Sequence, residues 1–177
     1  MNYSIVYSSK TGNTRLLAET LRELLPQTAC VYSGVPADAA LAADLLYVGF
    51  WTDKGSCDAA TGEFLTKLRG KRLFLFGTAG FGGEESYFDT ILERTCQKLD
   101  DSNTVIGTYM CQGKMPVAVR ERYEKMRSDP AHAPNLEHMI ENFDQALSHP
   151  DKADLEHLKM TVLALTVSQE PFAAAIQ

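Results

Sequence analysis

The stretch of sequence that decides the fold is a polar loop of seven residues, Ser8-Ser9-Lys10-Thr11-Gly12-Asn13-Thr14. A short apolar strand pattern at residues 3–7 precedes the loop, and leucines at helical spacing follow it. A strand, a tight loop and a helix start form an anion site, because the first amides of a helix lack partners and carry partial positive charge. Gly12 lets the backbone approach a ligand closely. The loop therefore predicts a phosphate-binding site.

The loop lacks the patterns of several well-known phosphate sites. It is neither G-x-x-x-x-G-K-[ST] nor G-x-G-x-x-G, and it has no Cys-x5-Arg sequence. One structural alternative stays open at this point. The segment could be a Ser/Thr-rich turn that caps the first helix, with Asn13 or Thr14 as the N-cap residue.

Composition predicts one domain over residues 1–177, with a core at about 1–147 and a C-terminal helical extension at about 148–177. No stretch approaches the roughly 20 apolar residues of a membrane span, and no signal sequence is evident, so we expect a cytoplasmic protein.

The formal net charge of −6 disfavours a nucleic-acid partner. The four cysteines are far apart and the four histidines show no metal spacing, which argues against a metal site. We expect these histidines on the surface, away from the phosphate site.

Strand patterns alternate with helical patterns along the chain. The strands are predicted at residues 3–7, 29–32, 44–50, 72–77 and 104–111, and the later helices at 88–99, 117–126, 136–147 and 153–166. This alternation predicts a parallel sheet with helices on both faces. Ligands of such sheets bind at the carboxyl ends of the strands. The loops predicted there are 8–14, 51–58, 78–87 and 111–116.

Three motifs together resemble the flavodoxin family: the first loop, the Gly49-Phe50-Trp51 end of the third strand, and the loop at residues 77–83. The resemblance covers about the first 115 residues. It is especially close to single-domain members with Gly-Phe-Trp-x-Asp-Lys-Gly, some of which are associated with bilirubin reductase. The resemblance implies an α/β, doubly wound, five-stranded parallel sheet in the order 2-1-3-4-5, with extra C-terminal helices.

The resemblance also implies FMN as the cofactor. Its phosphate would be held by amides and hydroxyls of the first loop, with Lys10 turned to solvent. Trp51 would stack on the flavin ring, and either Phe81 or Tyr87 would cover the other face. The Lys54–Gly55 peptide would turn a carbonyl toward the ring on reduction. The implied FMN-binding residues are Ser8, Ser9, Lys10, Thr11, Gly12, Asn13, Thr14, Phe50, Trp51, Thr52, Asp53, Lys54, Gly55, Thr78, Ala79, Gly80, Phe81, Gly82, Gly83 and Tyr87.

Each of these assignments has a structural alternative. Trp51 could belong to the core or its rim, Phe81 and Tyr87 could pack under the following helix, and the glycines could serve ordinary turns. The acidic composition predicts anionic surroundings that disfavour a reduced flavin anion.

The function implied is electron transfer between a reductase or ferredoxin-type donor and an acceptor enzyme, with no catalytic residue and no metal. We expect a monomer or a weak dimer. Two alternatives stay open: an FMN-dependent NAD(P)H quinone or azo reductase, and a flavin-free binding module on the same fold.

Overall fold

A parallel β-sheet forms the centre of the computed structural model, which describes residues 1–82 and 84–167. The strands are β1 (Tyr3–Tyr7), β2 (Cys30–Gly34), β3 (Leu45–Asp53), β4 (Ser56–Cys57), β5 (Arg72–Ala79) and β6 (Thr104–Gln112). The parallel strands lie in the order β2-β1-β3-β5-β6. This arrangement confirms the predicted order 2-1-3-4-5, because β5 and β6 are the fourth and fifth parallel strands.

The described residues contain six α-helices, three between the strands and three after the last strand. They are α1 (Asn13–Leu24), α2 (Ala59–Lys67), α3 (Glu85–Cys96), α4 (Val117–Arg127), α5 (Leu136–Ala146) and α6 (Lys152–Val167). Two short 3-10 helices, Gln27–Ala29 and Asp38–Ala42, complete the connections on either side of β2. None of the helices in the described ranges has both the length and the apolar character that crossing a bilayer requires.

A β-hairpin replaces the polar loop that was predicted at residues 51–58. β3 continues to Asp53, and β4 then pairs with it antiparallel, with Thr52 opposite Cys57. The turn between them has positive φ at Lys54 (49°) and at Gly55 (78°), as a two-residue type I′ turn requires. The hairpin is held against α3 because the Cys57 amide donates to the Thr95 hydroxyl at 3.1 Å. The prediction was wrong because it took polar composition as the sign of a loop.

Helix α3 begins at Glu85, three residues before the predicted start at Phe88. Tyr87 therefore lies within the first turn of the helix instead of in the preceding loop. Its ring contacts that of Phe88, with the ring centroids 6.1 Å apart, and is half-buried beside the core.

The two faces of the sheet carry separate cores. Helices α2 and α3 cover one face, where Phe50 and Leu75 are fully buried. Helices α1 and α6 cover the other face, where Leu17, Phe74 and Leu158 are fully buried. Because α6 packs into this second core, it is an integral layer of the fold.

Helices α4 and α5 instead form a small cluster of their own, which buries Tyr123, Ile140 and Phe143. An exposed ion pair between Arg120 and Asp144, 3.3 Å apart, also joins them. The division of the chain at residue 147 stays a prediction. In packing terms, the helices that lie outside the two main cores are α4 and α5.

The first loop is anchored to the sheet by a buried hydroxyl. The side chain of Thr14, at the start of α1, is fully buried. Its Oγ1 donates to the carbonyl oxygen of Phe50 at 3.2 Å and lies 3.1 Å from the hydroxyl oxygen of Thr78. One side chain thus joins α1 to the carboxyl ends of β3 and β5, where parallel sheets of this order place their ligands.

Replacing this hydroxyl by a methyl group should destabilise the whole domain. Thr14→Val keeps the shape of the side chain but leaves the buried Phe50 carbonyl without its donor, which costs about 1–3 kcal/mol. Urea unfolding monitored by circular dichroism measures the loss. Thr90→Val is the matched control, because the Thr90 hydroxyl donates to the Ser86 carbonyl on an exposed face of α3. Equal losses in the two variants would contradict the anchoring role of Thr14.

Candidate functional site

Gly12 directly precedes the first helix. It occupies the N-cap position in a left-handed conformation with φ of 88°. Its carbonyl accepts the first helical hydrogen bond, from the Leu16 amide at 3.0 Å. No side chain caps the helix. The alternative in which Asn13 or Thr14 serves as the N-cap residue is therefore wrong, because a glycine backbone takes that place.

The backbone amides of the loop are free to bind a ligand. Within the described part of the chain, the N–H groups of residues 9–14 find no acceptor. The amides on either side are used, because Ser8 donates to the Gly49 carbonyl and Arg15 donates to the Ser9 hydroxyl. A run of unpartnered amides at a helix N-terminus is the donor set that a phosphate group binds.

Two adjoining cavities open beside these amides. The first, called here the Trp51 cavity, has a volume of about 170 Å³ and is walled by Lys10, Trp51, Gly80 and Met115, among others. The second, called the Gly12 cavity, has a volume of about 350 Å³ and lies beside the start of α1. The two share Thr11, Asn13 and Lys114 as lining residues, so they adjoin, and together they are called the cleft. A cleft of this combined size suits a nucleotide-sized ligand.

Two buried polar atoms on residues of the Trp51 cavity have no hydrogen-bond partner among the described residues. They are Oδ1 of Asn13 and Oγ1 of Thr52. The other side of the Asn13 amide is used, because Nδ2 donates to the Thr11 hydroxyl and to the Lys114 carbonyl, both at 2.9 Å. Since buried polar groups are almost always satisfied, these two oxygens mark places beside the cavity where hydrogen-bond donors are missing.

Trp51 presents its ring to the cavity, and Lys10 lies across it. The Nζ atom of Lys10 is 4.8 Å from the ring centroid. Lys10 is exposed to solvent, as expected, and its ammonium group also lies over the Trp51 ring. The cation–π contact is worth about 0.5–1 kcal/mol at an exposed site, so a stacking ligand could displace it at small cost.

Gly80 packs against the segment that follows β6. A Cβ atom at this position would lie 2.5 Å from Cγ of Met115 and 2.6 Å from its sulfur. The Gly80 carbonyl accepts from Gln112 Nε2 at 3.1 Å and from Asn142 Nδ2 at 3.0 Å. A side chain at this position would therefore force Met115 to move, and the approach of Gly80 to a ligand stays a prediction.

The structure brings nine of the predicted residues to the cleft. They are Lys10, Thr11, Gly12, Asn13, Trp51, Thr52, Thr78, Ala79 and Gly80.

Other predicted residues lie near the cleft but do not line it. Ser8 and Ser9 are half-buried in the loop backbone behind it. The Thr14 hydroxyl already donates within the protein, and the Phe50 side chain is fully buried in the core. The side chains of these last two residues are therefore engaged within the protein, whereas the backbone amide of Thr14 belongs to the run of loop amides without an acceptor among the described residues.

The remaining predicted residues lie outside the cleft. Asp53, Lys54 and Gly55 form the hairpin turn, where Arg94 donates to the Gly55 carbonyl at 3.4 Å. Phe81 and Gly82 line a separate groove beside α5. Tyr87 lies in the first turn of α3 against Phe88. Gly83 lies outside the described residues.

Sequence reasoning missed several residues of the cleft. Gly113, Lys114, Met115 and Pro116 line the Trp51 cavity. The carboxyl-end rule had placed the loop at 111–116 here without assigning these residues to the site. His149 lines the Gly12 cavity, although the histidines were predicted to lie away from the site. No local sequence signal could have placed His149, because its position depends on how α5 ends.

The cleft is basic although the chain is acidic. Its charged lining residues are Lys10, Lys114 and Arg15, opposed by Glu19, which pairs with Arg15 at 3.5 Å. The predicted anionic surroundings are therefore not found at the cleft. Burial raises the pKa of the Cys57 and Cys111 thiols, so neither is a thiolate nucleophile at neutral pH.

Comparison with known proteins agrees with this architecture. Residues 4–163 match a family model described as a flavodoxin domain. The chain is 42% identical to the flavodoxin-like domain-containing protein BilS of Clostridium symbiosum (strain WAL-14163), over 88% of this chain and 90% of that protein. It is 27% identical to BilS of Clostridioides difficile (strain CD3), over 90% and 93%. A short-chain flavodoxin associated with a non-canonical PDU bacterial microcompartment has a similar fold, with a TM-score of 0.60 at 16% identity, over 95% and 98% of the two chains.

A methyl group at Gly80 should strain the wall of the Trp51 cavity. Gly80→Ala forces Cβ against Met115 and should cost about 1–3 kcal/mol, as overpacking typically does. In a Met115→Ala background the same change should cost much less, because the colliding side chain is gone. Urea unfolding of the four proteins in this double-mutant cycle measures the coupling. Additive effects would show that Met115 does not pack on Gly80.

Proposed function

This chain belongs to the flavodoxin family, and from that premise we propose that it binds FMN in the cleft and carries electrons between a redox-protein donor and an acceptor enzyme. The observation that carries the proposal is the run of free amides at residues 9–14. The unpartnered oxygens of Asn13 and Thr52 and the basic lining add to its support.

The phosphate of FMN would bind at the start of α1. The loop amides would donate to its oxygens, and the partial positive charge of the helix N-terminus would favour it further. Thr11, which lines both cavities, offers a hydroxyl in addition. The ribityl hydroxyls would donate to Asn13 Oδ1.

The flavin ring would lie in the Trp51 cavity. Trp51 offers a flat face for stacking once Lys10 moves aside. Met115, Pro116 and Val119 also line this cavity and would limit the access of water to the ring. Thr52 Oγ1 remains available to a polar edge of the ring.

Bound FMN would supply the redox chemistry, accepting electrons from the donor and passing them on. The chain's own part is to bind, orient and tune it. Lys10 and Lys114 lower the electrostatic cost of placing negative charge in the cavity, because opposite charges attract at short range. No side chain of the cleft needs to act as an acid, a base or a nucleophile.

The remaining parts of the proposal concern partners and location. The overall negative charge suits docking to a basic surface of a redox protein. We propose a cytoplasmic protein, monomeric or weakly dimeric, that binds no nucleic acid. The four cysteines are free thiols, in keeping with a reducing compartment.

A titration with FMN tests the proposal directly. We expect one FMN to bind per chain, quenching the emission of Trp51, the single tryptophan. The loaded protein should then take up electrons from a chemical reductant and release them to an added acceptor. Steady NADPH oxidation by the purified protein alone would favour the quinone or azo reductase alternative. Absence of FMN binding would favour the flavin-free module.

Removing the stacking face should weaken FMN binding. Trp51→Ala should raise the Kd about tenfold, equivalent to roughly 1.4 kcal/mol of lost stacking and contact. Trp51→Phe is the matched control and should retain most of the affinity, because it keeps an aromatic face. Quenching of flavin fluorescence measures both constants. Unchanged affinity in Trp51→Ala would contradict a stacking role for Trp51.

A further inference from the structure

The segment that follows α5 forms one wall of the Gly12 cavity. Leu147, Ser148, His149 and Pro150 lie there, facing the start of α1. Two hydrogen bonds fix the wall relative to the first loop. The Lys114 amide donates to the His149 carbonyl at 3.0 Å, and Asn13 Nδ2 donates to the Lys114 carbonyl at 2.9 Å. His149 is therefore held beside the loop amides by the backbone.

The imidazole of His149 is oriented by a carboxylate. Its Nδ1 lies 2.6 Å from Oδ2 of Asp154, and both side chains are largely buried, at 28% and 17% exposure. Asp154 is itself held, because its Oδ2 accepts from the Asp151 amide at 2.7 Å while Asp151 Oδ1 accepts from the Asp154 amide at 3.0 Å. This reciprocal pair caps the start of α6. With Nδ1 engaged, Nε2 is the nitrogen that His149 can offer to the cavity.

The charged side chains that line the Gly12 cavity are mostly basic, although the carboxylates of Asp151 and Asp154 lie beside His149. Arg15 and Lys114 line it together with His149, and Glu19 is its one lining carboxylate within the described residues. Glu19 pairs with Arg15 on the exposed side of α1, where screening weakens its effect. The unpartnered amides of the first loop add further positive potential at the same place.

We infer that His149 is a phosphate-binding residue of this chain. Protonated imidazole donates from both nitrogens, so Nδ1–H can bind Asp154 while Nε2–H binds the phosphate of FMN. This inference rests on the proposed function. It extends the phosphate site beyond the first loop to a residue placed by α5 and α6, and it predicts that His149 discriminates FMN from riboflavin.

A metal site at the same place is less well supported. His149, Asp151 and Asp154 have potential ligand atoms within 4.8 Å of one another. The two carboxylates, however, already accept the amides that cap α6. The cluster is therefore explained by helix capping, and we propose no ion there.

Dissociation constants for FMN and for riboflavin, which lacks the phosphate, test the inference. Two variants of His149 distinguish the contributions of its two ring nitrogens. His149→Asn keeps a donor near Nδ1 for Asp154 but removes Nε2, whereas His149→Gln places an amide nearer the Nε2 position. His157→Ala is the matched control, because His157 is an exposed histidine on α6 outside both cavities.

We expect His149→Asn to raise the Kd for FMN about tenfold while changing that for riboflavin less than twofold. His149→Gln should lose less FMN affinity, and His157→Ala should lose none. Thermal melts establish that each variant is folded, and either His149 variant suffices if the other is not. Equal effects on the two ligands, or no effect on FMN, would overturn the role of His149 and leave FMN binding standing. Failure of the unaltered protein to bind FMN would overturn the proposed function and this inference together.

Discussion

The candidate site depends on a single buried hydroxyl. Thr14 donates to the Phe50 carbonyl beside the Thr78 hydroxyl, and so joins the start of α1 to the ends of β3 and β5. Since these hydrogen bonds are satisfied within the protein, the hydroxyl serves to fix the loop. Among residues 1–82 and 84–167, the amides of residues 9–14 find no acceptor, and the Thr14 side chain ties the end of this loop to the sheet. A site that is already ordered loses little conformational freedom on binding, which is why preorganisation favours affinity.

The candidate site is also shaped by two helices, α4 and α5, which lie between β6 and α6 in the chain. Helices α4 and α5 bury a small cluster of their own, apart from the two main cores. They nevertheless shape the cleft, because Asn142 on α5 donates to the Gly80 carbonyl and Val119 on α4 lines the Trp51 cavity. The end of α5 also brings His149 to the start of α1. The insertion thus modifies the ligand site of a common fold from outside its sheet.

Charge is distributed unevenly over this molecule. The formal net charge is −6, yet the charged side chains that line the cleft are mostly basic. The acidic pair Asp100–Asp101 lies just before β6, at the opposite end of the sheet from the cleft. Local charge acts most strongly on a bound ligand, whereas the net charge acts on encounters with other macromolecules. The two properties can therefore serve different purposes in one small domain.

The sequence by itself determined the parallel sheet, its order and the edge where a ligand would bind. The parallel sheet and its ligand-binding edge were predicted from the spacing of apolar residues and from general rules of such folds, whereas the strand order was implied by the resemblance to flavodoxins. Four residues of the first loop, 10–13, and Trp51, which the sequence assigned to a ligand site, line the cleft. Only the tertiary structure decided that Thr14 is an anchor, that Lys10 lies over Trp51, that Met115 packs on Gly80, and that His149 joins the site. The contacts of each of these side chains are made with residues that are distant in the sequence, and a local sequence pattern carries no information about them.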